Sequence, residues 1–316
     1  MSELKKVIIT GHHTEENKER FLSIPGCEII FAEKNTDIPE EAFADTEILV
    51  GFPAKEMIAK MPRLRFVQLY SAGANGYDWL PEEIKLSNAY GAYGNSIAEH
   101  MLTTTLMAVK RMPEYVQMQQ RQDWELLKDI SMFEGLKVLS VGMGAIGTSY
   151  AKKANALGAT CYGVRRTVHD KPDFVEKLVT PEDMDALLPE MDIVALSMPG
   201  TEEVAGMFDE RRLRLLKKDA IIANVGRGNA IVTEDLIKVM NEGHLKAACL
   251  DVMTPEPLPK DHPLWTTPRV YITPHISGGY RAGVNYESVV NVVVKNLTLV
   301  AGGEEPVHTV DRKLGY

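Results

Sequence analysis

Short β-rich runs alternate along the chain with longer stretches in which hydrophobic residues return every three or four positions. In the first hundred residues KVIIT, CEIIF, EILVGF, RFVQLY and KLSNA carry the strand pattern, with helical patterns between several of them. That βαβ rhythm implies a parallel sheet. From about Ser96 the stretch SIAEHMLTTTLMAVKRMPEYVQMQQ reads as one long helix without glycine, interrupted at Pro113 and placed to bridge two domains. A second strand series follows: KVLSVG, TCYGV, DIVALSM, AIIANVG, AACLDV and VYITPH. The chain returns to helix over 282–300, and no short-period repeat or low-complexity segment is present. The pattern predicts an α/β protein of two parallel-sheet domains, one formed by 1–99 plus 282–316 and the other by 100–281.

Composition narrows the function classes. With 316 residues the chain is long enough for two domains that each bury a core. A net charge of -9 argues against a general polyanion binder, whose affinity rests on neutralising phosphates. No apolar stretch approaches the roughly 20 residues of a membrane span. MSELKKVIITGHH lacks a signal-peptide core and cleavage pattern, which points to a cytoplasmic protein. Cys27, Cys161 and Cys249 lie far apart in apolar contexts without metal-ligand spacing, the pattern of buried free thiols.

The chemistry begins at KVLSVGMGAIGTSYAKKANALG. Gly142, Gly144 and Gly147 form G-x-G-x-x-G between a predicted strand and a predicted helix. The first glycine permits the tight turn and the second lets backbone approach a pyrophosphate. The third lets helix and strand pack closely, while the helix N-terminus supplies partial positive charge. The next strand, TCYGV, ends where a dinucleotide site for NAD carries an acid on the ribose 2′-OH. Here Arg165 and Arg166 stand instead. A carboxylate would repel a 2′-phosphate, whereas a guanidinium binds it through paired hydrogen bonds. The pair therefore points to NADP(H), with NAD(H) the alternative if the two arginines are only solvated.

Three loops after later strands bring further candidates: Arg227 in NVGRG, Asp251 and Glu256 in DVMTPEP, and His275 in TPHISGG. Together with VGMGAIG, and with AGANGYD and NSIAEH upstream, these segments resemble the D-isomer-specific 2-hydroxyacid dehydrogenases over essentially the whole chain. The resemblance implies a flavodoxin-like substrate domain and an NAD(P)-binding Rossmann domain with a cleft between them, in a homodimeric enzyme that acts on small 2-oxo or 2-hydroxy acids. It implies that Arg227 binds the substrate carboxylate and polarises the keto oxygen, and that His275 exchanges a proton with that oxygen. Glu256 would pair with His275; the formate-oxidising branch has glutamine there, so glutamate disfavours that activity. Ala72, Gly73 and Ala74 would cradle the substrate carboxylate. The cofactor would meet Gly142, Gly144, Ala145, Ile146 and Gly147, then Arg165 and Arg166. Pro199, Thr201, Val225, Asp251, His275 and Gly278 would complete its contacts, with Asp251 near the nicotinamide carboxamide.

Elementary chemistry agrees with these roles. A free histidine has a pKa near 6.5, and a carboxylate within a few ångströms favours its imidazolium form, the acid that ketone reduction needs. Arginine stays charged and offers a planar fork suited to a 2-oxo acid. Other residues carry less. His12 and His13 in TGHHTEE read as a surface loop, and His100 as a packing residue on the long helix. Tyr70 and Phe52 end strands and suit either a pocket wall or the core. Arg63 and Arg65 cannot be placed near a phosphate-bearing substrate from sequence. Reductases of glyoxylate and hydroxypyruvate in the resembled family often prefer NADPH, so with the arginine pair the resemblance implies reduction of one of those acids. Within the family the alternatives are a phosphoglycerate dehydrogenase-type enzyme, whose longer forms append a regulatory domain, and a dinucleotide-sensing corepressor. No nucleic-acid, membrane or metal partner is expected.

Overall fold

The computed structural model describes residues 4–74, 76–279 and 283–312. The chain divides into two compact units, Met1–Tyr93 with Tyr280–Tyr316, and Gly94–Gly279. The sequence pattern put the cuts at 99/100 and 281/282. The helices are α1 (Glu15–Leu22), α2 (Lys55–Ile58), α3 (Gly94–Val109), α4 (Met112–Arg121), α5 (Ala145–Ala156), α6 (Glu210–Leu215), α7 (Thr233–Asn241) and α8 (Tyr286–Ala301).

In the first unit β1 (Lys5–Thr10), β2 (Cys27–Ala32), β3 (Thr46–Val50), β4 (Phe66–Gln68) and β5 (Lys85–Ser87) form a parallel sheet in the order β2-β1-β3-β4-β5. This is the flavodoxin-like order, with its switch point between β1 and β3. Val7, Ile8 and Ile9 are wholly buried in succession, as a strand covered on both faces requires. Thr14 caps α1 by accepting from the Asn17 amide at 3.2 Å, and Glu15 and Glu16 complement the helix dipole. The last helix belongs to this unit. Buried Asn296 of α8 donates to Gln68 Oε1 at 2.6 Å, and Glu287 accepts from Asn17 at 2.7 Å.

The second unit holds β6 (Lys137–Val141), β7 (Thr160–Val164), β8 (Val175–Val179), β9 (Ile193–Leu196), β10 (Ile221–Asn224), β11 (Ala247–Leu250) and β12 (Val270–Ile272). They form a parallel sheet in the order β12-β11-β10-β9-β6-β7-β8. Counted within the unit this is the dinucleotide-binding order extended by one strand, and it reverses between β6 and β9. Leu139, Val194, Leu196 and Ile222 fill its core with Met184 and Phe208. Helix α3 packs on α5, β10 and β11.

The structure departs from the sequence pattern in several places. Strand β8 leaves no apolar pattern in the sequence because Glu176 and Lys177 interrupt it with exposed charges on an edge strand. The long helix breaks at Arg111, which adopts a left-handed φ of 53°. Pro113 instead lies in the first turn of α4, where a missing N–H costs nothing. His13 is not on the surface: it is 2% exposed, and His12 alone faces solvent. The His13 imidazole lies 3.0 Å from the hydroxyls of both Tyr70 and Tyr286, with its ring against Phe21. Burial lowers its pKa, with the Thr10 carbonyl opposing. Cys27 is only half-buried, whereas Cys161 and Cys249 are buried, and burial raises their thiols to about 11 and about 12.

Candidate active site

The loop from Gly142 to Gly147 follows β6 at the switch point. Gly142 has φ +96°, a conformation few side chains tolerate, and its amide donates to the Val164 carbonyl at 3.0 Å. Gly144 caps α5, so Ala145, Ile146 and Gly147 form the first turn of a 12-residue helix, whose N-terminus carries partial positive charge. At Gly147 a Cβ would stand 2.3 Å from the Gly142 carbonyl oxygen and 2.7 Å from Ser140 Oγ. Only glycine lets α5 approach β6 this closely. Gly147→Ala is expected to cost about 1–3 kcal/mol of stability, read as a lower Tm, and to weaken dinucleotide binding measured by NADPH fluorescence.

Arg165 follows β7 with its amide on the Val179 carbonyl at 3.0 Å; Arg166 comes next and is exposed. Among the described residues the Arg165 guanidinium makes no ion pair. Pro199 and Thr201 lie beyond the end of β9, where the Thr201 carbonyl closes a turn by accepting from Val204 at 3.1 Å. Val225, buried at the end of β10, donates to Leu196.

Asn224 was not foreseen as a site residue. It is 1% exposed, its side chain donates to the Arg227 carbonyl at 2.9 Å, and it accepts from the Gly226 amide at 3.0 Å. These bonds hold the loop that presents Arg227. The Arg227 guanidinium donates to the Gly226 carbonyl at 2.8 Å, and its stem runs over Gly200. Burial lowers its pKa and the charge of Glu256 works against that shift. The residue stays cationic, as guanidinium does in proteins.

His275 presents its imidazole from a left-handed backbone, φ 51°. Its Nδ1 meets Glu256 Oε1 in a short contact, which leaves Nε2 for another partner. Its amide donates to the Asp251 carbonyl at 2.9 Å. The buried Asp251 carboxylate accepts from the Thr273 hydroxyl and from the amides of Ile276 and Ser277. Burial pushes that carboxyl up, but the hydrogen bonds outweigh it and hold its pKa below the usual carboxylate range. Gly278 follows directly. Arg227, Glu256 and His275 thus all belong to the second unit, with Glu256 in contact with His275 and electrostatically coupled to Arg227.

In the first unit Ser71 Oγ donates to the Gly73 carbonyl at 2.6 Å, and Asn88 donates to the Ala72 carbonyl at 2.8 Å. Among the described residues no acceptor takes the amides of Ala72, Gly73 or buried Ala74. Tyr70 is core, 3% exposed, whereas Phe52 stacks edge-on against it and stays 49% exposed.

The model of the D-isomer specific 2-hydroxyacid dehydrogenase NAD-binding domain matches residues 102–277. The chain belongs to that family. It is 32% identical over 278 residues to a glyoxylate/hydroxypyruvate reductase A of Yersinia enterocolitica, covering 85% of this chain and 87% of the relative. Among solved structures, a family member from Aeromonas salmonicida superposes with a TM-score of 0.86 at 26% identity, over 98% of this chain and 100% of that one. An NADPH-dependent glyoxylate/hydroxypyruvate reductase of Sinorhizobium meliloti, solved with NADP and sulfate, gives a TM-score of 0.84 at 23% identity, over 99% and 100% of the two chains, and shows the shared fold. The two-sheet architecture is therefore that of a D-2-hydroxyacid dehydrogenase with an NAD-binding domain.

Proposed function

We propose that this dehydrogenase reduces a small 2-oxo acid of the glyoxylate or hydroxypyruvate class to the corresponding D-2-hydroxy acid, with NADPH as reductant. The observation that carries the proposal is the His275–Glu256 contact beside a half-buried, cationic Arg227. The name of the Yersinia relative supports the substrate class. The glycine loop fits a dinucleotide, because Gly147 leaves no room for a side chain beneath the first helical turn. When bound, the dinucleotide supplies the hydride that reaches the carbonyl carbon.

Arg227 would hold the substrate carboxylate by its fork and draw electron density toward the keto oxygen. His275 would deliver the proton from Nε2 to that oxygen, while Glu256 keeps Nδ1 protonated and the ring oriented. In the first unit the Ala72–Ala74 amides would offer hydrogen-bond donors to a carboxylate. Asp251 spends its acceptor positions on its own loop, the Ser277 side chain included, and would hold that loop beside the nicotinamide carboxamide. The test is NADPH oxidation at 340 nm with a panel from glyoxylate and hydroxypyruvate through pyruvate to aromatic 2-oxo acids. The two small acids should give the highest kcat/KM; a maximum with a large aromatic acid would overturn the substrate class.

Arg165 and Arg166 would grip the 2′-phosphate. Replacing both by serine is expected to lower kcat/KM for NADPH by about 10- to 150-fold per lost charge-assisted contact, with NADH kinetics unchanged. An equal loss with both coenzymes would contradict the assignment.

Association as a homodimer is part of the same proposal. Trp124 is 99% exposed and Leu126 89%, followed by Met132 at 65%, all on the stretch after α4. Covering such side chains contributes about 1.5–3 kcal/mol each. Light scattering should give twice the 35.1 kDa chain mass, and the Trp124→Glu, Leu126→Glu double variant should run as a monomer.

A further inference from the structure

The helix residue His100 reaches the loop that carries His275. Its Nε2 lies 3.1 Å from Thr273 Oγ1, and Thr273 Oγ1 lies 2.5 Å from Asp251 Oδ1. An ionised carboxylate only accepts, so the Thr273 proton points at Asp251. The hydroxyl oxygen must then accept from His100, which fixes the imidazole with its proton on Nε2. The direct His100–Asp251 separation is 3.8 Å, too long for a hydrogen bond, so the link runs through the hydroxyl.

Much of the loop that carries His275 is bonded to Asp251. Its carboxylate takes the amides of Ile276 and Ser277, each at 2.9 Å, and its carbonyl takes the amide of His275, also at 2.9 Å. The loop therefore wraps one buried residue while His275 holds its left-handed φ of 51°. A non-glycine residue keeps that conformation only where its surroundings enforce it. Three contacts come from the loop itself and from the strand end before it. The Asp251 amide also donates to the Asn224 carbonyl at the end of β10, and His100 adds the side-chain link to α3, which is packed on α5, β10 and β11.

We infer that His100, acting through Thr273, is a positioning residue that anchors the Asp251 hub and so aims His275 for proton transfer. The inference rests on the proposed role of His275. It assigns His100 a part in the reaction's geometry that packing of a helix face does not require.

The test uses Thr273→Val and His100→Phe, which remove the hydroxyl and the imidazole donor, and Thr273→Ser, which restores the hydroxyl. Two readouts are taken on the full-length protein: kcat and KM with NADPH and the best 2-oxo acid, and hydrogen exchange of the Ile276 and Ser277 amides. In Thr273→Val and His100→Phe, kcat should fall about tenfold, the order expected for sub-ångström misplacement of a reacting group. KM should stay near wild type, and exchange should accelerate at 276 and 277 while β11 keeps its protection. Thr273→Ser should recover both readouts. Wild-type kcat and exchange in both variants would overturn the inference, as would accelerated exchange spread across α3 and β11. If the wild-type protein turns over no 2-oxo acid, the proposed function fails, and the exchange data alone still decide whether the anchor exists.

Discussion

His275→Asn is expected to lower kcat by about a thousandfold while NADPH still binds. General acid catalysis contributes about 10²–10⁴ in rate, and asparagine keeps the size and polarity of the side chain without a proton to release. In terms of barrier the loss is about 4 kcal/mol. Asparagine also tolerates a left-handed backbone, so the variant should fold with the Asp251 carbonyl still accepting the amide at 275. Glu256→Gln should fall less, because it removes the charge beside Nδ1 and leaves the histidine in place. Steady-state kinetics together with NADPH fluorescence titration check both. Full activity in His275→Asn would remove the proton donor from the account.

The second large effect is expected at Arg227. Arg227→Ala deletes a fork that, in the proposed role, would make two charge-assisted bonds to the substrate, each worth about 1.5–3 kcal/mol, so kcat/KM should drop by about 10²–10⁴. Arg227→Lys keeps the charge and loses the planar geometry, and should recover only part of the loss. If Arg227 acts on the keto oxygen as well as the carboxylate, kcat falls along with KM rising; a pure binding role would raise KM alone. The half-buried setting sharpens this expectation, because partial burial already works against the Arg227 charge. A bound carboxylate would relieve that cost.

Local pattern was enough for some of this site. Gly142, Gly144 and Gly147 stood out because a strand, a turn and a helix must each constrain the same six residues, and the 2.3 Å approach at Gly147 shows why no other residue serves there. Arg227, Glu256 and His275 were legible through motifs of fixed order, which also gave the family. The pattern was silent where a role depends on distant partners. His13 looked like loop because its neighbours are polar, and the tyrosines that satisfy it lie 57 and 273 positions away. His100 looked like packing because Thr273 is 173 positions away. Asn224 looked like the end of an apolar strand, and only the folded loop shows it bonded on both sides of Arg227. Strand β8 escaped because two charges on an edge strand break the apolar run that marks a buried one.

Chiral chromatography of the product that the wild-type enzyme forms from hydroxypyruvate and NADPH decides whether this chemistry takes place. The account predicts D-glycerate in step with NADPH oxidation. L-glycerate, or NADPH-dependent turnover that yields no hydroxy acid, would contradict it.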